Sequence, residues 1–454
     1  MRRLLDSILI AAGLFVPACI GQELLDEMNL KSSQLGGVRL LGVSIFSGYS
    51  STAYPLAGFE LNTSTGIGSL GGDMSYGASA SLGWQRNRGK TDVSVMYTGT
   101  YGGMARYSGV DGYSQSLALS AVRMLTSRWT FGLSASGQDS TMAQYFFQPS
   151  SLSVIAQMPA TFDDLAAAFA AGQYSNAQAA SLLTGTPVMQ APGRSLLMGN
   201  RVLSYEGQAN LGYAISSRLQ LHFASFTAAG QTRLGGQDNI PQANYVMPRS
   251  LGGNGGVGIS YSLTPRTQIG ADLEANRTVN HFQGVYSSTA SASLGRKMGI
   301  HWFLRIQGGG TYGVVTQQVY GTPRTSQMVG GGSLGYRAHS YTLVASYDRS
   351  ANDTFGFAVG TITTMSGAWN WHLPGSRWSV STSFGEQEMR NTGFASLSGW
   401  QATAGLTTNL NPHTTLTAQY VYLASAGTYA GTFNSLGIHS VRITLGWAPQ
   451  SVQR

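Results

Sequence analysis

The side chains best suited to chemistry in this chain are charged or amide groups set among serines and glycines. Asp272 and Glu274 are two residues apart, and Arg305 follows further along the chain. Carboxylates near a guanidinium can form an internal ion pair, or they can create a field that selects solutes by charge. The sequence leaves both interpretations open. The side chains that we assign to this same polar surface are Asp92, Arg123, Glu206, His222, Asp272, Glu274, Arg305 and Gln419.

Patterns typical of catalytic or metal sites are weak. The histidines show neither an HExxH nor an HxH spacing, so they predict no metal site and no cofactor. The strings Gly66-x-Gly68-x-x-Gly71 and Gly308-x-Gly310-x-x-Gly313 match a phosphate loop, but neither begins a helix and the chain has 60 glycines. We therefore predict no catalytic residue and a protein that is not an enzyme.

The elements that carry the polar side chains are strands. Between Ile438 and Ala448, apolar residues alternate with small or polar ones. A strand has a period of two, so this segment has one apolar face and one polar face. In a soluble sandwich the apolar face packs on a second sheet; in a closed membrane barrel it faces lipid and the polar face lines a lumen.

The same alternation recurs along the chain in hairpins joined by eight tight polar turns, such as Arg86–Lys90 and Thr264–Thr267. Longer connections alternate with these turns, for example 50–72 and 425–437. Eight hairpins give sixteen strands. A first strand near Val38–Ser47 and a last strand ending at Trp447 raise the number to about 18, with 16 as the alternative.

Composition supports a membrane barrel. Charged residues make up 10% of the chain, against roughly 25% in typical globular proteins. The mean hydropathy is −0.04, and no apolar run after the first segment approaches the ~20 residues of a membrane helix. The formal charge of +8 is spread over many turns, which favours a solvated rim over a nucleic-acid site.

Tryptophan placement separates the membrane barrel from the soluble sandwich. Most of the chain's 8 tryptophans lie at or near predicted strand ends, usually beside a short turn. Aromatic girdles occupy this position in outer-membrane barrels, whereas a sandwich core gives no reason for it. The predicted girdle comprises Trp84, Trp129, Trp302, Trp371, Trp378, Trp400 and Trp447.

These features resemble bacterial outer-membrane porin-like β-barrels over residues 37–448. The resemblance implies an all-β fold, a transmembrane antiparallel up-and-down β-barrel, located in the bacterial outer membrane. It also implies outer-membrane lipid, lipopolysaccharide, the barrel-assembly machinery and small hydrophilic solutes as partners, and leaves a homo-oligomer open. One departure is that Ala448–Arg454 extends past the terminal aromatic Trp447, which such machinery often recognises.

The predicted organisation is a signal peptide at 1–21, a short periplasmic segment at 22–36, the barrel at 37–448 and a tail at 449–454. Arg2 and Arg3 followed by an apolar run are typical of a secretion signal. Cys19 is the only cysteine, and the sequence around it weakly resembles a lipobox. It is interpreted as an ordinary signal residue, with lipidation as the alternative.

The longest connection runs from Asp139 to about Gly199 and includes two short predicted helices. The first begins near Thr161, and an apolar stripe follows. General porins fold their long third loop into the pore, so the resemblance implies a constriction; an external lid or a surface-binding patch is the alternative. The candidate constriction residues are Phe162, Asp163, Asp164, Leu165 and Phe169.

The function predicted from these features is passive diffusion of small hydrophilic solutes through the lumen. The main alternative is a surface-display or adhesive barrel whose extracellular loops bind a partner. A third is an outer-membrane hydrolase with an Asp/His or Ser/His site assembled across strands at the rim.

Deleting Pro159–Thr184 tests the predicted constriction. We expect higher single-channel conductance and weaker cation preference, because Asp163 and Asp164 would no longer act on the passage. Planar-bilayer recordings at several salt concentrations measure both quantities, and screening over about 10 Å at 0.1 M should weaken the preference. Unchanged conductance and selectivity would place the loop outside the lumen.

Overall fold

Alternation of apolar and polar residues produces strands throughout the part of the chain that the structure describes. This computed structural model describes residues 38–53, 70–106, 112–141, 201–234, 250–280, 284–316, 324–338, 340–353, 359–391, 395–429 and 432–449. The strands are β1 Arg39–Ala53, β2 Leu70–Arg88, β3 Thr91–Met104, β4 Gly112–Met124, β5 Trp129–Thr141, β6 Arg201–Ala214, β7 Leu219–Leu234, β8 Ser250–Thr264, β9 Thr267–Asn280, β10 Gly284–Met298, β11 Trp302–Thr316, β12 Arg324–Arg337, β13 Tyr341–Asp353, β14 Val359–His372, β15 Trp378–Asn391, β16 Ala395–Asn411, β17 Thr414–Tyr429 and β18 Thr432–Trp447.

The 18 strands form one closed antiparallel sheet in which each strand pairs with its neighbours in sequence. Closure is made by β1, which pairs with β2 on one side and with β18 on the other. The seam runs from Val43 opposite Trp447 to Ser50 opposite Ser440. The predicted up-and-down barrel of about 18 strands is thereby confirmed, and the 16-strand alternative is wrong because the first strand does form.

Several predicted features lie outside the described residues. These are the signal peptide, the 22–36 segment, most of the tail and the helices of the long connection. Within the described ranges, no helix is long and apolar enough to cross a membrane.

Eight short turns close the hairpins at one end of the barrel, and they do so in more than one way. In three of them, an arginine donates its backbone N–H to the hydroxyl oxygen two residues earlier: Arg128 to Thr126, Arg218 to Ser216, and Arg266 to Thr264. Other turns use glycine in the left-handed region: Gly89, Gly299 and Gly375. Short turns occupy the periplasmic end of such barrels, so the arginines form a solvated periplasmic rim.

The outer surface is apolar and exposed. On β18, Val441, Ile443, Leu445 and Trp447 all point outward with large exposed side chains. On β11, Trp302 and Tyr312 mark the two ends of the outward apolar stretch. Their ten-residue separation, at about 3.3 Å per residue and a tilt of about 40°, spans about 25 Å, the height of the apolar band of an outer-membrane barrel.

Aromatic rings mark the periplasmic edge of this band. Trp129 lies 4.4 Å from Tyr213 between ring centroids, and Trp302 lies 4.5 Å from Tyr336. All the predicted girdle tryptophans face outward by register, and Trp400 alone among them lies in the extracellular half of its strand. Trp369, which the sequence prediction omitted, also faces outward, with its ring 6.0 Å from that of Trp371.

The inward and outward assignment can be tested on two neighbouring residues of β18. Replacing Leu445 by Arg should destabilise the barrel by about 1–2 kcal/mol, because a charge would face lipid at a depth between the periplasmic interface and the midplane. Thr444→Arg should be tolerated better, since Thr444 faces the lumen opposite Phe46. Urea unfolding in lipid vesicles measures both, and equal destabilisation would contradict the assignment.

Candidate functional site: the barrel lumen

The inner wall is lined by small side chains that hydrogen-bond across neighbouring strands. Each hydroxyl pair uses inward positions that face each other in register, so the wall satisfies many of its own polar groups without long side chains. Such a wall is hydrophilic and leaves the lumen wide. The pairs are Ser44 with Ser79, Ser81 with Thr98, Thr289 with Thr311, Ser346 with Ser366, Ser383 with Thr403, and Thr407 with Thr417.

One arc of the wall carries acidic groups at mid-height. Asp272 and Glu274 project inward from β9, as the sequence predicts. Glu274 Oε1 accepts a hydrogen bond of 2.6 Å from Asn254 Nδ2 on β8. Glu206 projects inward from β6, opposite Ser136 on β5. These carboxylates face the lumen and are exposed to it.

Arg305 lies within the same arc, on β11, and is buried in the wall with 6% exposure. Its guanidinium interacts electrostatically with Asp272 on one side and with Asp348 of β13 on the other. Asp348 also accepts a hydrogen bond of 3.1 Å from Gln307 Nε2. A Cβ on Gly331 would lie 2.9 Å from Asp348 Oδ1, so glycine makes room for this carboxylate. Arg305 thus compensates part of the acidic charge.

The opposite wall carries a basic group. Arg442 projects inward from β18, with its guanidinium carbon 4.6 Å from the centre of the Phe46 ring on β1. Gln419 of β17 is its register partner. The Phe46 ring lies over Gly77 of β2, where an added Cβ would collide with it. The aromatic ring and the seam therefore hold the guanidinium against the wall.

The strand order places the basic group opposite the acidic arc. In a closed sheet of 18 strands, β9 and β18 lie half a circumference apart. Asp272 and Arg442 each lie about five residues from the periplasmic end of their strand, so their heights match. Strands about 4.8 Å apart and tilted by about 40° give a diameter of about 35 Å. Because that distance exceeds the screening length of about 10 Å at 0.1 M salt, the two walls act separately.

The structure places most predicted lumen residues on the inner face and corrects one of them. Asp92 lies at the periplasmic end of β3, inward by register, and the backbone register also puts His222 on the inner face. The assignment of Arg123 to the lumen is wrong. Arg123 is two residues after Ala121 and opposite Phe131, so it shares the outward face at the periplasmic edge.

Two lumen residues were missed at the level of the sequence, Asp348 and Phe46. Asp348 follows the outward Tyr347, so alternation alone could have found it. The alternation of the last strand does put Arg442 on the polar face, but Arg442 was not counted among the lumen residues. Phe46 was hidden by its apolar type, since a phenylalanine in a β-barrel strand usually indicates the lipid face. The candidate constriction residues, Phe162 to Phe169, lie outside the described part of the chain.

Three histidines in the described ranges make hydrogen bonds with a structural role. His301 Nδ1 donates to the carbonyl of Arg337 at 2.7 Å, and His413 Nδ1 donates to that of Ala448 at 3.1 Å. His439 faces outward and is hydrogen-bonded to the Tyr420 hydroxyl at 2.7 Å. No group of three or more metal-ligating side chains occurs among the described residues.

A closed antiparallel barrel that is apolar outside and rich in hydroxyl and charged groups inside is a transmembrane β-barrel. Its even strand number, short turns at one end and aromatic girdle define the porin-like class of the bacterial outer membrane. The predicted fold class and location are therefore correct.

Comparison with known proteins gives structural likenesses at low sequence identity. No family model matches the chain, and no curated protein matches its sequence. OccK9 (OpdG) of Pseudomonas aeruginosa is similar with a TM-score of 0.43 and 11% identity, over 90% of this chain and 97% of that one. OccAB4 of Acinetobacter baumannii gives 0.42 and 8% over 91% and 98%. The FrpB iron transporter of Neisseria meningitidis gives 0.41 and 8% over 90% and 81%.

The electrostatic role of Arg305 can be tested by a double-mutant cycle. Arg305→Gln should destabilise the barrel by about 1–3 kcal/mol, because Asp272 and Asp348 lose their compensating charge. Adding Asp348→Asn should recover part of the loss. Urea unfolding in lipid vesicles measures each variant, with Gln307→Ala as a control for the neighbouring hydrogen bond. Strict additivity of the two substitutions would show that the charges are uncoupled.

Proposed function

We propose that the protein is a channel for passive diffusion of small hydrophilic solutes across the outer membrane. The observation that carries this proposal is the inner wall itself, where cross-strand hydroxyl pairs and charged groups line a barrel of 18 strands. Barrels of 16 to 18 strands are wide enough for an aqueous channel. Small polar side chains offer transient hydrogen bonds to solutes without a tight binding site, which suits fast passage.

The wall charges favour cations in this proposal. Six charged side chains project inward from the middle of the described strands, four acidic and two basic: Glu206, Asp272, Glu274, Asp348, Arg305 and Arg442. Arg305 is buried between two of the carboxylates, so it offsets their charge more than it attracts anions. Considering these six side chains, the electrostatic potential in the passage is negative along the wall from β6 to β13. It is positive beside Arg442.

The alternative is a surface-binding barrel with a closed lumen, and the conductance measurement described below distinguishes it from an open channel.

The partners predicted from the sequence belong to this proposal: small hydrophilic solutes in the lumen, outer-membrane lipid and lipopolysaccharide outside, and the barrel-assembly machinery during insertion. The protein acts without a cofactor and without catalysis, and it does not bind nucleic acid. A homo-oligomer stays a prediction.

Planar-bilayer recording of the purified, refolded protein tests the proposal. We expect stable conductance steps and a reversal potential, under a KCl gradient, that shows a modest preference for K⁺. Asp272→Asn with Glu274→Gln should reduce the preference, because it removes charge from the acidic arc, and Arg442→Gln should increase it. The preference should fall between 0.1 M and 1 M salt, as the screening length shrinks from about 10 Å to about 3 Å.

Asp139→Asn is the matched control, because Asp139 faces outward on β5 by register and its loss should leave selectivity unchanged. The same shift in this control would show that the wall is not the selective element. Absence of conductance from protein shown to be folded by its heat-dependent gel mobility would contradict the channel and favour the surface-binding barrel.

A further inference from the structure

A charged patch interrupts the outer surface on four adjacent strands, β13 to β16, near the extracellular edge of the apolar band. The register aligns three outward-facing rows across these strands. The lowest row contains Tyr347, Met365, Glu386 and Trp400; the middle row contains Arg349, Thr363, Glu388 and Ser398; the upper row contains Ala351, Thr361, Arg390 and Ser396. We call the lower two rows together with Arg390 the β13–β16 patch.

The height of this patch places it at a lipid headgroup. Arg349 lies about eight residues above Tyr341, and Glu386 lies about eight residues above Trp378. At about 3.3 Å per residue and a tilt of about 40°, both are about 20 Å above the periplasmic girdle. Both therefore lie within about 5 Å of the extracellular edge of the apolar band, where their long side chains can extend to the headgroups of the outer leaflet.

The patch differs from the rest of the outer surface at the same height. On the two strands that flank the patch, the outward positions at this height are uncharged: Gly330 and Met328 on β12, and Ala424 and Ala426 on β17. Arg277 on β9 is an outward arginine at a similar height, and its register partners are Gly253 and Tyr286. Charges, hydroxyls and an exposed tryptophan therefore come together on the β13–β16 patch.

The side chains of the patch are arranged toward the membrane. Arg390 Nε and Nη2 both donate to Glu388 Oε1, at 2.7 and 2.6 Å, and its side chain is 71% exposed. Arg349 faces Gly330 in register, which has no side chain to cover the guanidinium. Trp400 is exposed and lies between Phe384, at 6.3 Å, and Tyr422, at 4.7 Å between ring centroids. Two arginines thus flank a row of hydroxyl and carboxylate groups above an aromatic base.

We propose that the β13–β16 patch binds the phosphorylated sugar headgroup of an outer-leaflet glycolipid. Guanidinium groups recognise phosphate through paired, charge-assisted hydrogen bonds. This assigns one phosphate to Arg349 and the other to the outer Nη1–Nη2 edge of Arg390, since the Nε edge of Arg390 already donates to Glu388. Glu386, Thr363 and Ser398 offer acceptors for sugar hydroxyls. Trp400 lies at the level where indoles contact both acyl chains and headgroups. This inference depends on the outer surface and stands apart from conduction through the lumen.

The separation of the two arginines fits a headgroup with more than one phosphate. Arg349 and Glu388 are two strands apart, about 10 Å, and Arg390 lies two residues beyond Glu388. The two backbones are therefore about 12 Å apart, which allows the long side chains to contact separate phosphates on one disaccharide. A phospholipid headgroup has a single phosphate and spans less of the patch.

Native mass spectrometry of the refolded barrel in detergent tests this proposal. The ligands are diphosphorylated lipid A, monophosphorylated lipid A and phosphatidylethanolamine, with inorganic phosphate as a competitor. We expect the diphosphorylated lipid to bind most tightly. Arg349→Gln with Arg390→Gln should weaken its binding about tenfold or more, since each lost charge-assisted contact is worth about that factor. Millimolar inorganic phosphate should fail to displace the lipid.

Arg277→Gln is the matched control, because it removes an outward arginine at a similar height on another sector. It should change affinity by less than about twofold. An equal loss of affinity in the control would show that outward arginines on any sector contribute to binding, and would contradict a specific patch. Unchanged binding in the double variant would overturn the proposal. The proposal would also be overturned if phosphatidylethanolamine bound equally tightly, or if free phosphate displaced the lipid. A protein dimer that forms with the natural chain and is lost in the double variant would overturn it too, because the patch would then be a contact between two copies of the chain. Arg349→Gln alone provides the test if the double variant does not refold.

Discussion

The structure depends on the hydrogen-bonded seam between β1 and β18. In a bilayer no water is available to pair with an exposed strand edge, so an unclosed sheet would leave a row of unsatisfied N–H and C=O groups. The seam pairs eight consecutive residues of β1, Val43 to Ser50, with β18. Every other feature of the barrel, from the lumen to the outer girdle, presupposes that this ladder is complete.

Closure also converts a local alternation into two chemically distinct surfaces. Each strand has one apolar and one polar face, so a single register directs Leu445 to the lipid and Thr444 to the lumen. The residues paired with them on the adjacent strand then point the same way. On the outer face of β2, for example, Tyr76 and Trp84 lie toward the two edges, and Ala78 and Ala80 lie between them. Inside, hydroxyl pairs satisfy each other across strands, so the wall stays polar with few long side chains.

The charges inside the barrel are arranged by neighbours distant in sequence. Arg305 is tolerable as a buried guanidinium because Asp272 and Asp348 approach it from strands on either side. Arg442 is held by a ring on β1, at the far end of the chain. On the outer surface, register likewise assembles Arg349, Glu388 and Trp400 from three strands into one patch. Charge is thus concentrated in sectors, while most of the remaining wall is small and neutral.

Alternation, turn residues and tryptophan positions are local signals, so they were enough to predict the strands, their faces and the barrel class. Alternation also placed Asp272, Glu274 and Glu206 inward. Where alternation was not applied strictly, the prediction failed, as it did for Arg123 beside Ala121. Which groups meet was decided by tertiary structure. That Asp348 reaches Arg305, and that Arg442 lies opposite Asp272, follows only from the number of strands and the closed register, which no local pattern encodes.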